Sequence, residues 1–228
     1  MTRATTGLGK MLRRKRTGQP AMSGLVDLPE ASAPVTAVRR AHDFYPTVDT
    51  SAIRALLAAD GEVIRAFGGV WEPACGDGAM VRPIRDAGIP CTASDLVDRG
   101  CPDSWQMDFF EARRSRAPAI ITNPPYNLIT ARDGAGRWLR HSLALKEWSY
   151  MALLLSWDWP AGRINGFAEL LEELPFSYAY LCRWKIDFTG QGQAPQRNAW
   201  FVWRRPWHEP PMTIRFLDRV DNRQSSLL

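Results

Sequence analysis

The tetrapeptide Asn123-Pro124-Pro125-Tyr126 carries groups that are suited to holding a planar amino group. The Asn123 side-chain oxygen and the Pro124 carbonyl are hydrogen-bond acceptors, and proline stiffens the second by fixing φ. Acceptors at both N–H groups of a conjugated amine favour a tetrahedral nitrogen, whose lone pair is then free to attack an electrophile. The flat ring of Tyr126 is suited to stacking on an extruded base. The tetrapeptide therefore predicts group transfer to an amine nitrogen, with a proline-rich turn as the structural alternative.

A second segment, Glu72-Pro73-Ala74-Cys75-Gly76-Asp77-Gly78, has the composition of a ligand-binding turn between a strand and a helix. Gly76 and Gly78 lack a Cβ, so the backbone can approach a ligand closely, and the first amides of the next helix point at the same place. Val81 stands where the dinucleotide-binding fingerprint has its third glycine, so the segment departs from that pattern. It predicts a cofactor loop, with a purely structural turn as the alternative.

Asp95 follows the next predicted strand, 17 positions after Gly78. A carboxylate at this place can accept hydrogen bonds from both ribose hydroxyls of a nucleoside, as it does in other open α/β sheets. An exposed aspartate at a strand end is the alternative. Asp95 follows the strand that comes next after the glycine-containing turn, and this position favours a contact with a nucleoside.

These residues need a scaffold that brings strand ends together, and the hydrophobic pattern predicts one. Strand-like and helix-like segments alternate, which indicates a mainly parallel sheet covered on both faces. The predicted strands are 69–72, 89–94, 104–107, 119–122, 151–156, 178–184 and 199–203, and the predicted helices are 51–59, 79–87, 138–148 and 164–174. Gly61 is expected at or just past the end of the first helix, and the last two strands are expected to pair antiparallel. Ligands bind such sheets at the carboxyl ends of the strands, where the candidate residues fall.

The tetrapeptide resembles the Asn-Pro-Pro-Tyr motif of S-adenosylmethionine-dependent DNA adenine-N6 methyltransferases, and residues 72–78 resemble the cofactor loop of the same class I enzymes. The similarity is to small phage and bacterial forms and extends over about residues 42–205. It implies an α/β, Rossmann-like class I methyltransferase fold with a mostly parallel seven-stranded sheet, an antiparallel late strand and helices on both faces. It also implies methyl transfer to the N6 amine of adenine in DNA, in the cytoplasm of a bacterium or phage-infected cell.

The resemblance further implies S-adenosylmethionine as the cofactor and gives several residues a role in binding it. Gly76 and Gly78 would pass under the methionine part, and Glu72 would lie near the ammonium group. Asp108 would bind the adenine amino group of the cofactor, and Phe109 would pack on the ring.

Residues 43–47 resemble a segment that closes over the methionine end of the cofactor in many DNA adenine methyltransferases. Thr47 would bond the cofactor carboxylate, and Tyr45 would pack nearby. The complete set of residues expected at the cofactor is Tyr45, Thr47, Glu72, Pro73, Ala74, Cys75, Gly76, Gly78, Asp95, Asp108, Phe109 and Asn123.

Three other functions share parts of this pattern. Protein glutamine N5-methyltransferases that act on release factors also carry Asn-Pro-Pro-Tyr, because a side-chain amide is an equally weak nucleophile. Cytosine-N4 DNA methyltransferases more often carry serine at the position of Asn123, and a non-catalytic DNA-binding protein could use the same scaffold. Adenine in DNA is favoured because residues 43–47 and 199–203 resemble segments of adenine enzymes, and because the helical substrate domain typical of glutamine enzymes is missing from the pattern.

The distribution of charge also favours DNA as the partner. The formal net charge is +5, and six basic residues precede the first acidic residue, Asp27: Arg3, Lys10, Arg13, Arg14, Lys15 and Arg16. Residues 1–40 predict a flexible basic arm, and residues 41–228 a catalytic domain without a separate target-recognition domain. Weaker candidates for phosphate contacts are Arg132, Arg137, Arg140 and Arg197, with a solvated surface as the alternative. Target choice would then depend on loops, on the arm or on a partner protein.

The remaining composition excludes several other classes. No apolar run is long enough to cross a bilayer, and the basic N-terminus is not followed by the apolar segment of a secretory signal. The four cysteines lack paired spacing and do not cluster with the three histidines, so neither a zinc site nor another metal is expected. Reduced thiols in a cytoplasm are the simplest expectation.

Overall fold

The computed structural model describes residues 47–130, 132, 135–192, 194, 196–206 and 212–220. The strands in this part are β1 (Val70–Glu72), β2 (Cys91–Asp95), β3 (Ser104–Gln106), β4 (Ala119–Thr122), β5 (Tyr150–Ser156), β6 (Tyr178–Lys185), β7 (Arg197–Arg204) and β8 (Thr213–Leu217). The α-helices are α1 (Ser51–Ala66), α2 (Val81–Asp86), α3 (Tyr126–Ile129), α4 (Arg137–Ala144) and α5 (Phe167–Glu173). Short 3-10 turns cover Phe109–Glu111 and Trp159–Ala161.

The strands form one sheet in the order β3-β2-β1-β4-β5-β7-β6-β8. Strands β1 to β5 run parallel to one another, whereas β7 runs antiparallel to both of its neighbours. This confirms the predicted mostly parallel sheet with helices and an antiparallel late strand. The eighth strand, β8, pairs parallel with β6 and is missing from the sequence prediction. The prolines at 206, 210 and 211 made this part of the sequence look irregular, although Thr213–Leu217 has the alternating β-forming residues of an edge strand.

Helix α1 is longer than predicted, because it continues through Gly61 to Ala66. Its buried face extends over the whole length, with Ile53, Leu56 and Ile64 at helical spacing. Burial of this face outweighs the roughly 1 kcal/mol by which a glycine disfavours a helix interior relative to alanine. Tertiary packing therefore decides where α1 ends.

We predict that Gly61→Ala stabilises the protein by about 0.5–1 kcal/mol, because alanine restricts the unfolded chain and favours the helix. A Cβ built on Gly61 meets no atom within 4 Å, so the substitution introduces no clash. Urea unfolding of the variant and the wild type measures the difference. Gly78→Ala is the contrasting control: φ is +84° there and a Cβ would lie 2.8 Å from Cys101 Sγ, so stability should fall. Equal or lower stability of Gly61→Ala would contradict the prediction.

Helix α4 is shorter than predicted, because the chain becomes extended at Leu145, where ψ is 142°. The next residues run alongside residues 113–118 instead of continuing the helix. The Ser115 amide donates to the Lys146 carbonyl at 2.8 Å, and the Lys146 amide donates to the Arg113 carbonyl at 3.4 Å. These non-local hydrogen bonds replace the last predicted turn of the helix.

The sheet separates two apolar cores. On one face α1 and α2 pack through residues such as Leu56 and Ile84, and on the other α4 and α5 pack through Leu139 and Phe167. Strands β4 and β5 are buried on both faces, as expected for the centre of a parallel sheet. The Trp200 indole also donates to the Ala52 carbonyl at 3.0 Å, which joins β7 to α1. Among the described helices, none is long and apolar enough for a bilayer crossing.

A buried carboxylate lies between α1 and the sheet. Asp60 is 5% exposed and accepts hydrogen bonds from three tyrosine hydroxyls. The distances are 3.0 Å from Tyr150, 2.8 Å from Tyr178 and 2.8 Å from Tyr180. The Arg215 guanidinium of β8 donates to the Tyr180 hydroxyl at 3.1 Å. This polar cluster joins α1, β5, β6 and β8 at the amino-terminal end of the parallel strands, opposite the predicted site.

Candidate active site

Three polar residues stand at neighbouring strand ends on the carboxyl edge of the sheet. Glu72 ends β1, Asp95 ends β2, and Asn123 directly follows β4. Because the strand order places β1 between β2 and β4, these three ends are neighbours. The structure therefore brings together the residues that the sequence selected at separate strand ends.

The glycine-containing loop after β1 is fastened to the end of β2. The Gly76 amide donates to Asp95 Oδ2 at 2.8 Å, and the Cys75 amide donates to the Ser94 carbonyl at 3.0 Å. Gly76 and Gly78 have φ values of 56° and 84°, which a side chain would disfavour. Asp95 Oδ1 also accepts from the Val97 amide at 3.1 Å, so this carboxylate shapes the loop. Each oxygen retains a second lone pair, and the predicted ribose contact stays a prediction.

Glu72 is fully buried, and its two oxygens are in different situations. Oε1 accepts a hydrogen bond from the Ala74 amide at 3.1 Å, whereas Oε2 is buried without a partner among the described residues. Burial raises the pKa of Glu72 to about 8, and the neighbouring Thr122 hydroxyl and the Ala74 amide oppose this shift. The carboxyl group is therefore adapted to a nearby cation or amine donor that would favour its charged form.

We predict that the pH dependence of stability changes in Glu72→Gln. The pKa of Glu72 is about 8 in the folded protein and 4.5 is the ordinary value for glutamate, so between these values the folded protein holds a proton that the unfolded chain has lost. Stability of the wild type therefore falls as pH rises through this window, by about 1 kcal/mol per pH unit. Glutamine cannot ionise and removes this contribution.

Urea unfolding of both proteins at several pH values between 5 and 8 measures the effect in the absence of any ligand. The difference between the two proteins is the relevant quantity, because it cancels the other titrating groups. A constant difference across this range would show that Glu72 titrates normally.

Asp108 and Phe109 follow β3 and have different surroundings: Asp108 caps a turn, and Phe109 packs in the apolar core. Asp108 Oδ1 accepts the Phe110 amide at 2.9 Å and so caps the short 3-10 turn. Phe109 is 3% exposed and stacks on Trp138 with ring centroids 4.0 Å apart. Phe110, the next residue, is half-buried. The contacts of Asp108 and Phe109 with a cofactor adenine stay predictions.

Asn123 has one half of its amide engaged and the other half free of protein partners. Its Nδ2 donates to Thr47 Oγ1 at 3.3 Å, while Oδ1 is buried and accepts no hydrogen bond from the described chain. Thr47 is thus in contact with the loop after β4, and its predicted bond to a cofactor carboxylate stays a prediction. Tyr45 of the same segment lies outside the described residues.

Tyr126 begins α3 and is anchored at its hydroxyl. The hydroxyl donates to the Leu154 carbonyl at 3.4 Å and accepts from Asn198 Nδ2 at 3.1 Å. Pro125 precedes the helix, and its carbonyl accepts the Leu128 amide at 2.9 Å. Asn198 is a residue that the sequence reasoning missed, since it stands unremarkably between Arg197 and the apolar run of β7.

Of the four arginines suggested for phosphate contacts, Arg132, Arg137 and Arg197 are exposed and Arg140 is half-buried. Arg140 donates to the carbonyls of Ala135, Asn165 and Gly166, and Arg197 donates to the Arg183 carbonyl, so these two also hold loops in place. DNA contact remains a prediction for all four. Across the described residues, no three His, Cys, Asp or Glu side chains cluster as metal ligands.

The sequence matches no protein-family model and no curated protein sequence. The fold, however, is similar to many solved structures. A Listeria monocytogenes protein assigned to the class I S-adenosylmethionine-dependent methyltransferases aligns with 75% of this chain at 12% identity, with a TM-score of 0.53. This chain spans 65% of the length of that protein. The comparison shows that this chain has the class I methyltransferase fold, and at this identity it shows the fold alone.

Two further solved structures are similar at a TM-score of 0.45 and 14% identity. One is magnesium protoporphyrin IX methyltransferase from Synechocystis with bound S-adenosylmethionine, aligned over 66% of this chain and 74% of its own. The other is a Vibrio vulnificus protein assigned as the modification subunit of a type I restriction enzyme, aligned over 74% of this chain and 46% of its own.

Proposed function

We propose that this protein is a DNA methyltransferase that transfers the methyl group of S-adenosylmethionine to the N6 amine of adenine. The observation that carries the proposal is the Asn123 amide, whose Oδ1 is buried without a partner in the described chain while Nδ2 contacts Thr47. A buried acceptor without a donor costs free energy, and an N–H group of a bound amine would satisfy it.

The residues at the ends of β1 and β2 fit S-adenosylmethionine. Glu72 Oε2 is buried and makes no direct hydrogen bond within the described part of the chain, and a cationic ammonium group nearby would favour the charged form of this carboxyl group. Gly76 and Gly78 keep the loop backbone free of side chains, and Asp95 holds the loop closed. When bound, the cofactor supplies an electrophilic methyl group on a sulfonium.

Asn123, Pro124 and Tyr126 are assigned to the substrate amine. Asn123 Oδ1 accepts one N–H group and the Pro124 carbonyl accepts the other, which draws the nitrogen toward tetrahedral geometry and frees its lone pair. The Tyr126 ring supports the flat base by stacking. A general base is not required by this chemistry, because the proton leaves after the nitrogen has been alkylated.

The exposed arginines near the site favour DNA as the methyl acceptor. Exposed Arg132 and Arg137 follow the catalytic loop, and exposed Arg197 begins β7, whose start lies beside the carboxyl end of β5. Phosphate contacts from such residues supply affinity without sequence choice. Because binding of this kind releases counterions, affinity should fall steeply as salt increases.

Incubation with methyl-labelled S-adenosylmethionine and several acceptors tests the proposal. The acceptors are double-stranded DNA, single-stranded DNA, RNA and a release factor, and the nucleosides from each nucleic-acid reaction are separated by mass spectrometry. Labelled N6-methyladenine from DNA is the expected product. N4-methylcytosine would move the assignment to cytosine, label in the release factor would move it to glutamine, and cofactor binding without any transfer would indicate a non-catalytic scaffold.

A further inference from the structure

We infer that Asn198 is a positioning residue that fixes the ring of Tyr126, and its effect on turnover rests on the proposed function. Asn198 is the second residue of β7 and is 0% exposed. The next five residues of the strand, 199–203, are all buried and apolar. A buried amide in such a strand is unfavourable unless its hydrogen bonds are made, so its partners indicate what it does.

The Asn198 amide connects the catalytic loop to the end of β5. Its Nδ2 donates to Tyr126 Oη at 3.1 Å and to the Leu155 carbonyl at 3.3 Å. Tyr126 Oη in turn donates to the Leu154 carbonyl at 3.4 Å. The phenol oxygen is therefore held between a strand carbonyl and a buried amide, while the Tyr126 backbone is held in the first turn of α3.

Fixing both ends of the tyrosine sets the position and direction of the ring axis. The hydrogen bonds at Oη restrict χ1, whereas rotation about χ2 leaves Oη in place and is limited by packing of the ring against the apolar core. Asn123 lies three residues earlier, and the two prolines between them make a stiff connection from the anchored tyrosine to the Asn123 acceptor. A planar group stacked on Tyr126 would then present its amine to Asn123 in one orientation, which is the condition for efficient transfer.

Asn198 cannot contact the substrate, because it is fully buried beneath the loop. Its Oδ1 is also buried and has no partner in the described chain. Asn198→Leu therefore removes the donor and an unsatisfied acceptor while it keeps the branched shape and the number of heavy atoms of the side chain. We expect this variant to fold with a midpoint of unfolding modestly below that of the wild type, because Tyr126 Oη and the Leu155 carbonyl each lose a donor.

The anchoring is tested without any substrate by 19F NMR of protein labelled with 3-fluorotyrosine. The chain has five tyrosines, and the resonance of residue 126 is assigned by its loss in Tyr126→Phe. In Asn198→Leu we expect this resonance to shift and broaden. Tyr180→Phe is the matched control, because it removes a buried tyrosine hydroxyl at the opposite end of the same strands and should leave the Tyr126 resonance in place.

The consequence for catalysis is tested by a double-mutant cycle with labelled S-adenosylmethionine and DNA. Asn198→Leu and Tyr126→Phe should each lower kcat about 10-fold or more, and the double variant should be no slower than the slower single variant. Affinity for S-adenosylhomocysteine, measured by calorimetry, should stay at the wild-type value in all three proteins.

Either experiment can overturn the inference. An unchanged Tyr126 resonance in Asn198→Leu would show that Asn198 does not hold the ring, whatever the protein methylates. Wild-type kcat in Asn198→Leu, or additive losses in the double variant, would show that the contact does not serve transfer. Failure of the wild type to methylate DNA would instead reject the proposed function, and the NMR result would still decide the anchoring.

Discussion

Asn123→Ala is expected to lower methyl transfer to DNA about 100-fold or more, while affinity for S-adenosylmethionine stays within about threefold of the wild type. The alanine variant loses the buried Oδ1 acceptor, which the described protein leaves without a donor. We expect the loss in kcat, because the hydrogen bond from the amine to Oδ1 is strongest when the nitrogen becomes tetrahedral in the transition state. Single-turnover kinetics with labelled cofactor measure the transfer step, and calorimetry measures cofactor affinity.

Asn127→Ala is the control for this measurement. Asn127 carries the same amide but is exposed on α3, four positions further along the chain. Its replacement should leave the single-turnover rate within about twofold of the wild type. Transfer by Asn123→Ala at the rate of this control would remove Asn123 from the reaction and with it the basis of the proposed function.

Asp60→Ala is expected to lower the free energy of unfolding by about 3–5 kcal/mol. The substitution removes the acceptor for the hydroxyls of Tyr150, Tyr178 and Tyr180, and all three residues are at most 6% exposed. These donors would remain buried without their acceptor, and each such group is costly. Urea or guanidinium unfolding followed by tryptophan fluorescence measures the loss.

Two further variants distinguish the loss of the Asp60 hydrogen bonds from a change in the helix propensity of α1. Glu62→Ala replaces an exposed acidic residue of α1 and should change stability by less than about 0.5 kcal/mol. Asp60→Asn keeps one acceptor oxygen and should fall between the wild type and Asp60→Ala. Equal stability of Asp60→Ala and Glu62→Ala would mean that the tyrosine hydroxyls find other partners.

The local parts of the fold and site could be predicted from the sequence. The strand ends at Glu72, Asp95 and Asn123 were identifiable because buried apolar runs stop there and polar or glycine residues follow. Alternation of strands and helices then required these ends to share one edge. Seven of the strands and their mainly parallel arrangement follow from the same pattern.

The non-local parts could not be predicted. Asp60 lies 90, 118 and 120 residues from its three tyrosine partners, and no periodicity relates positions so distant. Asn198 is separated from Tyr126 by 72 residues for the same reason. The length of α1 depends on packing against the folded sheet, and the low helix propensity of Gly61 gives no information about that packing.

The position of β7 in the sheet has a consequence for synthesis on the ribosome. β7 is inserted between β5 and β6, although β6 precedes it in the chain. Until residue 204 has left the exit tunnel, β6 has no hydrogen-bonded neighbour in the sheet and the apolar faces of β5 and β6 stay apart. Translation that stalls or terminates before this point should therefore yield an aggregation-prone, protease-sensitive polypeptide. We expect chaperones to bind nascent chains of this protein at this stage.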